Sequence, residues 1–106
     1  MLPARRRLRA SEVEEVLSRG KSARATYLSA KSLSTGQPLR VAAVVSKKVA
    51  KKAVERNRLR RGLYRALMPI VASGNVMIFI QKIPNEALVP AFSKDLEVLL
   101  QQSITK

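Results

Sequence analysis

Apolar and polar positions alternate along the chain in blocks of different period, and the blocks predict the elements. Ser11-Glu12-Val13-Glu14 has the form of a capping box, with Ser11 as cap and Glu14 reaching back. Val13, Val16 and Leu17 follow as a short apolar stripe, and Gly20 after Arg19 is a stop signal. A first helix over 12–18 is predicted. Residues 26–33 alternate imperfectly around Tyr27, and the valine-rich LRVAAVVS of 39–46 reads as a second strand. Ser34-Thr35-Gly36-Gln37-Pro38 between them is turn chemistry, so the two are expected to pair as an antiparallel hairpin. Residues 75–82, NVMIFIQK, are a continuous apolar run of the kind found in strands buried on both faces.

Between the second and third strands lies a helix of about four turns, predicted from Ala50 to Met68 and ended by Pro69. A last helix over 92–103 carries Phe92, Leu96, Leu99 and Leu100 on one face, after a loop bracketed by Pro84 and Pro90. The order is α-β-β-α-β-α. The fold class is α+β, a sandwich of a small sheet with helices. The 106 residues suit a single domain, 1–106, and 46% apolar content is enough for a core.

Charge changes the picture. The net charge is +14, and it is unevenly spread. Residues 1–10 hold Arg5, Arg6, Arg7 and Arg9. Residues 40–65 hold Arg40, Lys47, Lys48, Lys51, Lys52, Arg56, Arg58, Arg60, Arg61 and Arg65 against Glu55 alone. From 66 onward Lys82, Lys94 and Lys106 balance Glu86, Asp95 and Glu97. The middle therefore reads as a binding surface for a polyanion, and the last third as scaffold. The arm over 1–10 is expected to be flexible at low salt and ordered by sulfate or RNA.

The middle helix sorts its residues on a wheel of about 100° per residue. Val49, Ala53, Leu59, Leu63, Ala66 and Leu67 share an arc, with Tyr64 at its border. Lys51, Arg58, Arg61 and Arg65 lie opposite, the arginines about a turn apart, a spacing suited to a phosphate backbone. Arg56 and Arg60 break the separation by falling in or beside the apolar arc, with Asn57 near Tyr64. Two readings stand: their stems snorkel over the core, or this edge faces a groove where they meet a ligand.

What is missing also narrows the function. There is no Cys and no His, which removes thiolate chemistry, the commonest general base and the commonest metal ligand. The seven acids are expected at scattered, solvent-facing helix positions, so neither a catalytic nor a metal-binding cluster is predicted. No segment approaches the ~20 apolar residues of a membrane helix. The arginine-rich start is followed at once by Glu12, Glu14 and Glu15, unlike a transit peptide, and lacks the apolar run of a secretory signal.

The stretch VSKKVAKKAVERNRLRRGLYRAL, 45–67, resembles the signature of the bacterial ribonuclease P protein subunit. The match runs through Ser46-Lys47-Lys48, Ala53, and Arg56-Asn57-Arg58 followed by Leu59-Arg60-Arg61. The order and length of the other segments resemble that family as well. The resemblance implies a fold like the second domain of ribosomal protein S5, with a left-handed β-α-β crossover around the signature helix. It implies a bacterial, cytoplasmic accessory subunit of an endoribonuclease, one protein per catalytic RNA. The RNA would carry the magnesium-assisted hydrolysis, and no cofactor would be held by a protein motif. The RNA contacts it implies are Lys47, Lys48, Lys51, Lys52, Arg56, Asn57, Arg58, Arg60, Arg61 and Arg65, with Arg5, Arg6, Arg7 and Arg9 of the arm. It also implies a cleft for the 5′ leader of precursor tRNA, formed by the sheet and the first helix, where Val13, Leu17, Leu28, Lys31 and Arg40 are the candidates. Family members usually place aromatic rings there. Here aromatics are 4% of the chain, so a grip by charge through Lys31, Arg40 and Lys47 is expected instead.

Three other readings are weaker. A small ribosomal or general RNA-binding protein shares the composition but not the signature. A DNA-binding helix-turn-helix needs a helix where the valine-rich strand lies. A membrane-bound amphipathic helix would need bulky anchors that residues 50–68 lack.

Overall fold

A computed structural model of the chain describes residues 7–70 and 72–103. In order these form α1 (Ala10–Arg19), β1 (Lys21–Arg24), β2 (Leu28–Pro38), β3 (Arg40–Val45), α2 (Ala53–Leu67), β4 (Ser73–Ile80) and α3 (Leu88–Ser103). The strands make one sheet in the order β1-β2-β4-β3. The α+β class stands, with one strand more than the pattern predicts. β1 is four residues, Lys-Ser-Ala-Arg, too short and too polar to leave a periodic signal.

The expected hairpin between residues 26–33 and 39–46 does not form. β2 pairs antiparallel with β1 on one side and with β4 on the other. β3 pairs in parallel with β4, from Arg40 opposite Asn75 to Val45 opposite Ile80. β4, whose run Val76 to Ile80 carries the bulkiest apolar side chains of the sheet, takes a central place, where both its edges are paired. The turn chemistry at 34–38 serves a bend instead. Regular pairing breaks between Leu33 and Pro38, Gly36 takes φ +73°, and Pro38 lies opposite Ser73. Leu39 N–H then donates to Ala72 C=O at 3.1 Å, carrying the chain past the start of β4. Gly74 (φ +106°) allows the close approach there, since a Cβ would lie 2.9 Å from the Leu33 carbonyl oxygen.

The two sheet faces are unequal. Leu28 and Ala30 of β2, Val76, Ile78 and Ile80 of β4, and Val41 and Val45 of β3 face one side. There they meet Leu59, Leu63, Ala66 and Leu67 of α2 and Phe92, Leu96 and Leu99 of α3. On the other side α1 crosses β4 and β2, where Val16 and Met77 are enclosed. α1 starts two residues earlier than predicted. Glu12, not Glu14, turns back, accepting the Arg9 backbone N–H at 2.8 Å.

α2 begins at Ala53, not Ala50, so Lys51 and Lys52 stand ahead of it, and Ala53 is exposed. Gly62 lets α3 come close, because a Cβ there would lie 3.0 Å from Cβ of Leu88. α3 starts four residues before the predicted Phe92. Pro90 sits in its first turn, where no helical partner exists for a backbone N–H.

One acid is not solvent-facing. Asp95 is buried, and its carboxylate accepts the backbone N–H groups of Tyr27 and Leu28, at 3.0 Å for Leu28. It ties α3 to the start of β2. Asp95→Ala is expected to leave two enclosed donors without partners and to cost roughly 1–3 kcal/mol. Urea unfolding should report this as a lower midpoint with an unchanged slope. Asp95→Asn, which keeps one acceptor oxygen, should lose less.

Candidate nucleic-acid interface

Strand register lays out the outer sheet face in rows. Arg24, Ser29, Phe79 and Val44 form one row across the four strands. Ser22, Lys31, Met77 and Ala42 form the next. α1 covers the Met77 side and leaves the Phe79 side open. The result is an open groove of about 570 Å³, lined by Ser22, Arg24, Ser29, Lys31, Phe79 and Gln81 among others. Gln81 Nε2 donates to Ser29 Oγ at 2.8 Å, setting polar edges beside the half-buried ring of Phe79.

The cleft candidates divide. Leu17 is 44% exposed on α1 and Val13 is half-buried. Lys31 lines the groove, but its Nζ also donates to the Leu17 carbonyl at 3.0 Å, near the C-terminal end of α1. Arg40 Nη1 bonds both oxygens of Glu12, at 3.0 and 3.2 Å, at the other end of α1. These two cations fasten the helix to the sheet. Leu28 is a correction: it points to the opposite face and is fully enclosed in the core. The aromatic residue of this face is Phe79, which the sequence reading missed by treating 75–82 as buried on both faces. Alternation within that run carries the signal, with Val76, Ile78 and Ile80 inward and Met77 and Phe79 outward.

The basic segment begins where the groove ends. Val45 pairs with Ile80, so the chain leaves β3 at the end of the sheet that holds Phe79 and Gln81. Ser46 C=O accepts the N–H groups of Val49 and Ala50 at 3.1 and 3.2 Å, forming a turn with Lys47 and Lys48 exposed. Lys51 and Lys52 are also exposed. Arg56 is half-buried, and its Nη1 donates to the carbonyls of Ala50 at 3.0 Å and Lys51 at 2.8 Å. Arg60 Nη2 donates to Asn57 Oδ1 at 2.6 Å. Arg58 pairs with Glu55 at 2.7 Å; the bond lowers the Glu55 pKa and raises that of Arg58. Arg58, Arg61 and Arg65 line one wall of a second groove, of about 400 Å³, whose other wall is the stretch from Ala87 to Pro90.

In the N-terminal arm, Arg7 and Arg9 are exposed, and Arg7 makes an isolated parallel bridge to Val41 at the edge of β3. Arg5 and Arg6 lie outside the described residues. Among the described residues no group of three or more acids could hold a metal ion, and no helix is long and apolar enough to cross a membrane. Glu12 and Glu55 are engaged by Arg40 and Arg58, and Asp95 by backbone N–H groups, so these side chains do not fit a magnesium site.

The fold and charge layout define a small, strongly basic α+β protein with a half-open sheet face beside a β-α-β unit. The profile of the Ribonuclease P family matches residues 2–103, and the chain belongs to that family. It is 34% identical over 110 residues to the ribonuclease P protein component of Pseudanabaena sp. (strain PCC 6903), covering 97% of this chain and 95% of that protein. The solved RNase P protein from Thermotoga maritima superposes with a TM-score of 0.74 at 21% identity, covering 91% of this chain and 96% of that one. That from Staphylococcus aureus gives 0.72 at 18% identity, with 98% and 100% coverage.

The Glu12 clasp makes α1 acid-sensitive. The Arg9 backbone N–H, followed by the charge and hydrogen bond of Arg40, holds the Glu12 carboxyl below the usual carboxylate range. A lowered folded pKa contributes stability that is fully present above the ordinary carboxylate value. It is lost as pH falls through the lowered value. Rate-corrected amide exchange at Val13 should therefore lose protection in acid, by up to about fivefold for a partly exposed pair. In Glu12→Gln the protection should already be reduced at neutral pH and should show no such step.

Proposed function

We propose that this chain is the protein subunit of a bacterial ribonuclease P ribonucleoprotein. It binds the catalytic RNA and the 5′ leader of precursor tRNA in the cytoplasm, one protein per RNA, and assists endonucleolytic removal of the leader. The observation that carries this reading is continuity. The lysine turn Ser46–Lys52 starts at the sheet end where the groove opens, so one basic surface runs from groove to α2. An RNA backbone on that surface would neutralise charge that the seven acids of the chain cannot.

In this reading Lys47, Lys48, Lys51, Lys52, Arg58, Arg60, Arg61 and Arg65 face the catalytic RNA, with Arg7 and Arg9 beside them. Phe79 gives the groove floor a ring on which a leader base can stack, and Arg24 and Lys31 give it charge. The chemistry is hydrolysis of a phosphodiester with magnesium held by RNA, and this chain contributes binding and orientation.

The deciding experiment is cleavage of precursor tRNA by the RNA subunit of the same genome at low magnesium, with and without the protein. Cleavage is expected to be restored by the wild type and lost with the double variant Arg61→Ala, Arg65→Ala. Tight RNA binding without any gain in cleavage would instead favour a general RNA-binding module. Phe79→Ala is expected to weaken binding of leader-bearing substrate on the order of thirtyfold, the middle of the stacking range. Binding of leaderless tRNA should not change.

A further inference from the structure

We propose that Arg56, at the centre of the signature, is a positioning residue that clamps the lysine turn rather than a contact to RNA. The inference rests on the RNA-binding reading above. Three residues before Leu59 on the helix, Arg56 projects from the apolar arc and not from the outer row. Its side chain runs back toward the N-terminal end of α2, as helical side chains do. There one terminal nitrogen bonds the carbonyls of Ala50 and Lys51. Both carbonyls precede the helix, outside its own ladder, and Ala50 is buried, so leaving its carbonyl without a donor is costly.

The clamp has a consequence for binding. The segment Ser46–Lys52 carries Lys47, Lys48, Lys51 and Lys52, which repel one another. Outside the clamp, its backbone is held by the Val49 and Ala50 bonds to Ser46. With the two carbonyls tied to α2, the turn is shaped before RNA arrives, and less ordering is left for the binding step. Arg58, two residues on, is exposed and in the outer row, so neighbouring arginines of one signature hold opposite roles.

The test compares Arg56→Met with Arg61→Ala. Methionine keeps an unbranched stem over the core and removes the donors, so folding is retained. In the free protein, Val49 and Ala50 amides are expected to exchange at least tenfold faster in Arg56→Met, with Leu63 and Leu67 within twofold of wild type. Affinity for the ribonuclease P RNA of the same genome is then followed against salt. Loss of one phosphate contact reduces the salt slope by about one, which is expected for Arg61→Ala. Arg56→Met is expected to reduce it by about two or more, because several lysines lose their placement together. Adding Lys47→Ala and Lys51→Ala should then cost less in Arg56→Met than in wild type. Unchanged exchange at Val49 and Ala50, or a slope change equal to that of Arg61→Ala, would overturn the clamp. If the wild type shows no salt-dependent RNA binding, the proposed function fails, while the exchange measurement still decides whether Arg56 holds the turn.

Discussion

The enclosed side of α2 is the constraint on which the other features depend. Five arginines on a fifteen-residue helix repel one another, and only Glu55 offsets them within it. Like-charge pairs at helical spacing cost about 0.2–0.5 kcal/mol each. The arginine pairs 56/60, 58/61 and 61/65 therefore sum to roughly 1 kcal/mol. Against this, Leu59 and Leu63 are wholly enclosed and Leu67 nearly so. Burying a leucine contributes about 1.5–3 kcal/mol. Packing wins by several-fold, so the helix forms and its charge is presented rather than dispersed in a disordered segment.

That helix also dictates the sheet. α2 connects β3 to β4, and the two strands pair in parallel, an arrangement that needs a crossover of helical length. The crossover places α2 on one face, beside α3. The other face is left to α1, which is ten residues long and spans only part of it. An uncovered row with Phe79 at its centre is the result. The open floor is thus a consequence of how few elements a chain of this length can provide. It becomes a groove because Arg40 and Lys31 hold α1 at its two ends and keep it from sliding over Phe79.

The parts of this architecture that show in the sequence are those with a long, unmixed pattern. α2 and α3 are legible from periodicity and β4 from its unbroken apolar run, and the charge asymmetry points to the surface proposed to bind RNA. The failures have physical causes. β1 is too short and polar to show a period, and only pairing with Lys31 and its neighbours makes it a strand. A short loop favours the hairpin, but β4 competes for the same edge of β2 with bulkier apolar side chains, Met77, Ile78, Phe79 and Ile80 against Val41, Ala42, Ala43 and Val44. The family resemblance puts Leu28 in the cleft. Its actual direction follows from alternation with Ala30 and Ser32 once the core face is known. Asp95 looked like a surface acid because its partners, two backbone N–H groups, are 67 and 68 residues away and leave no mark in a local pattern.

Lys31 and Arg56 both bond main-chain carbonyls, and for a common reason. The chain holds 21 basic and 7 acidic side chains, so most cations have no carboxylate to meet. A charge count then suggests that all of them wait for a polyanion. The structure uses another acceptor. Lys31 meets the Leu17 carbonyl near the C-terminal end of α1, where the helix dipole favours a cation. Arg56 meets the carbonyls of Ala50 and Lys51 before α2 begins. Backbone carbonyls near helix ends are the acceptors that a carboxylate-poor protein has in abundance. Cations spent on them shape the surface, and those left exposed, such as Lys47, Arg61 and Arg65, can act on a ligand. In a protein this basic, the division between the two sets is decided by which arginines and lysines reach a helix end, not by their distance from the signature.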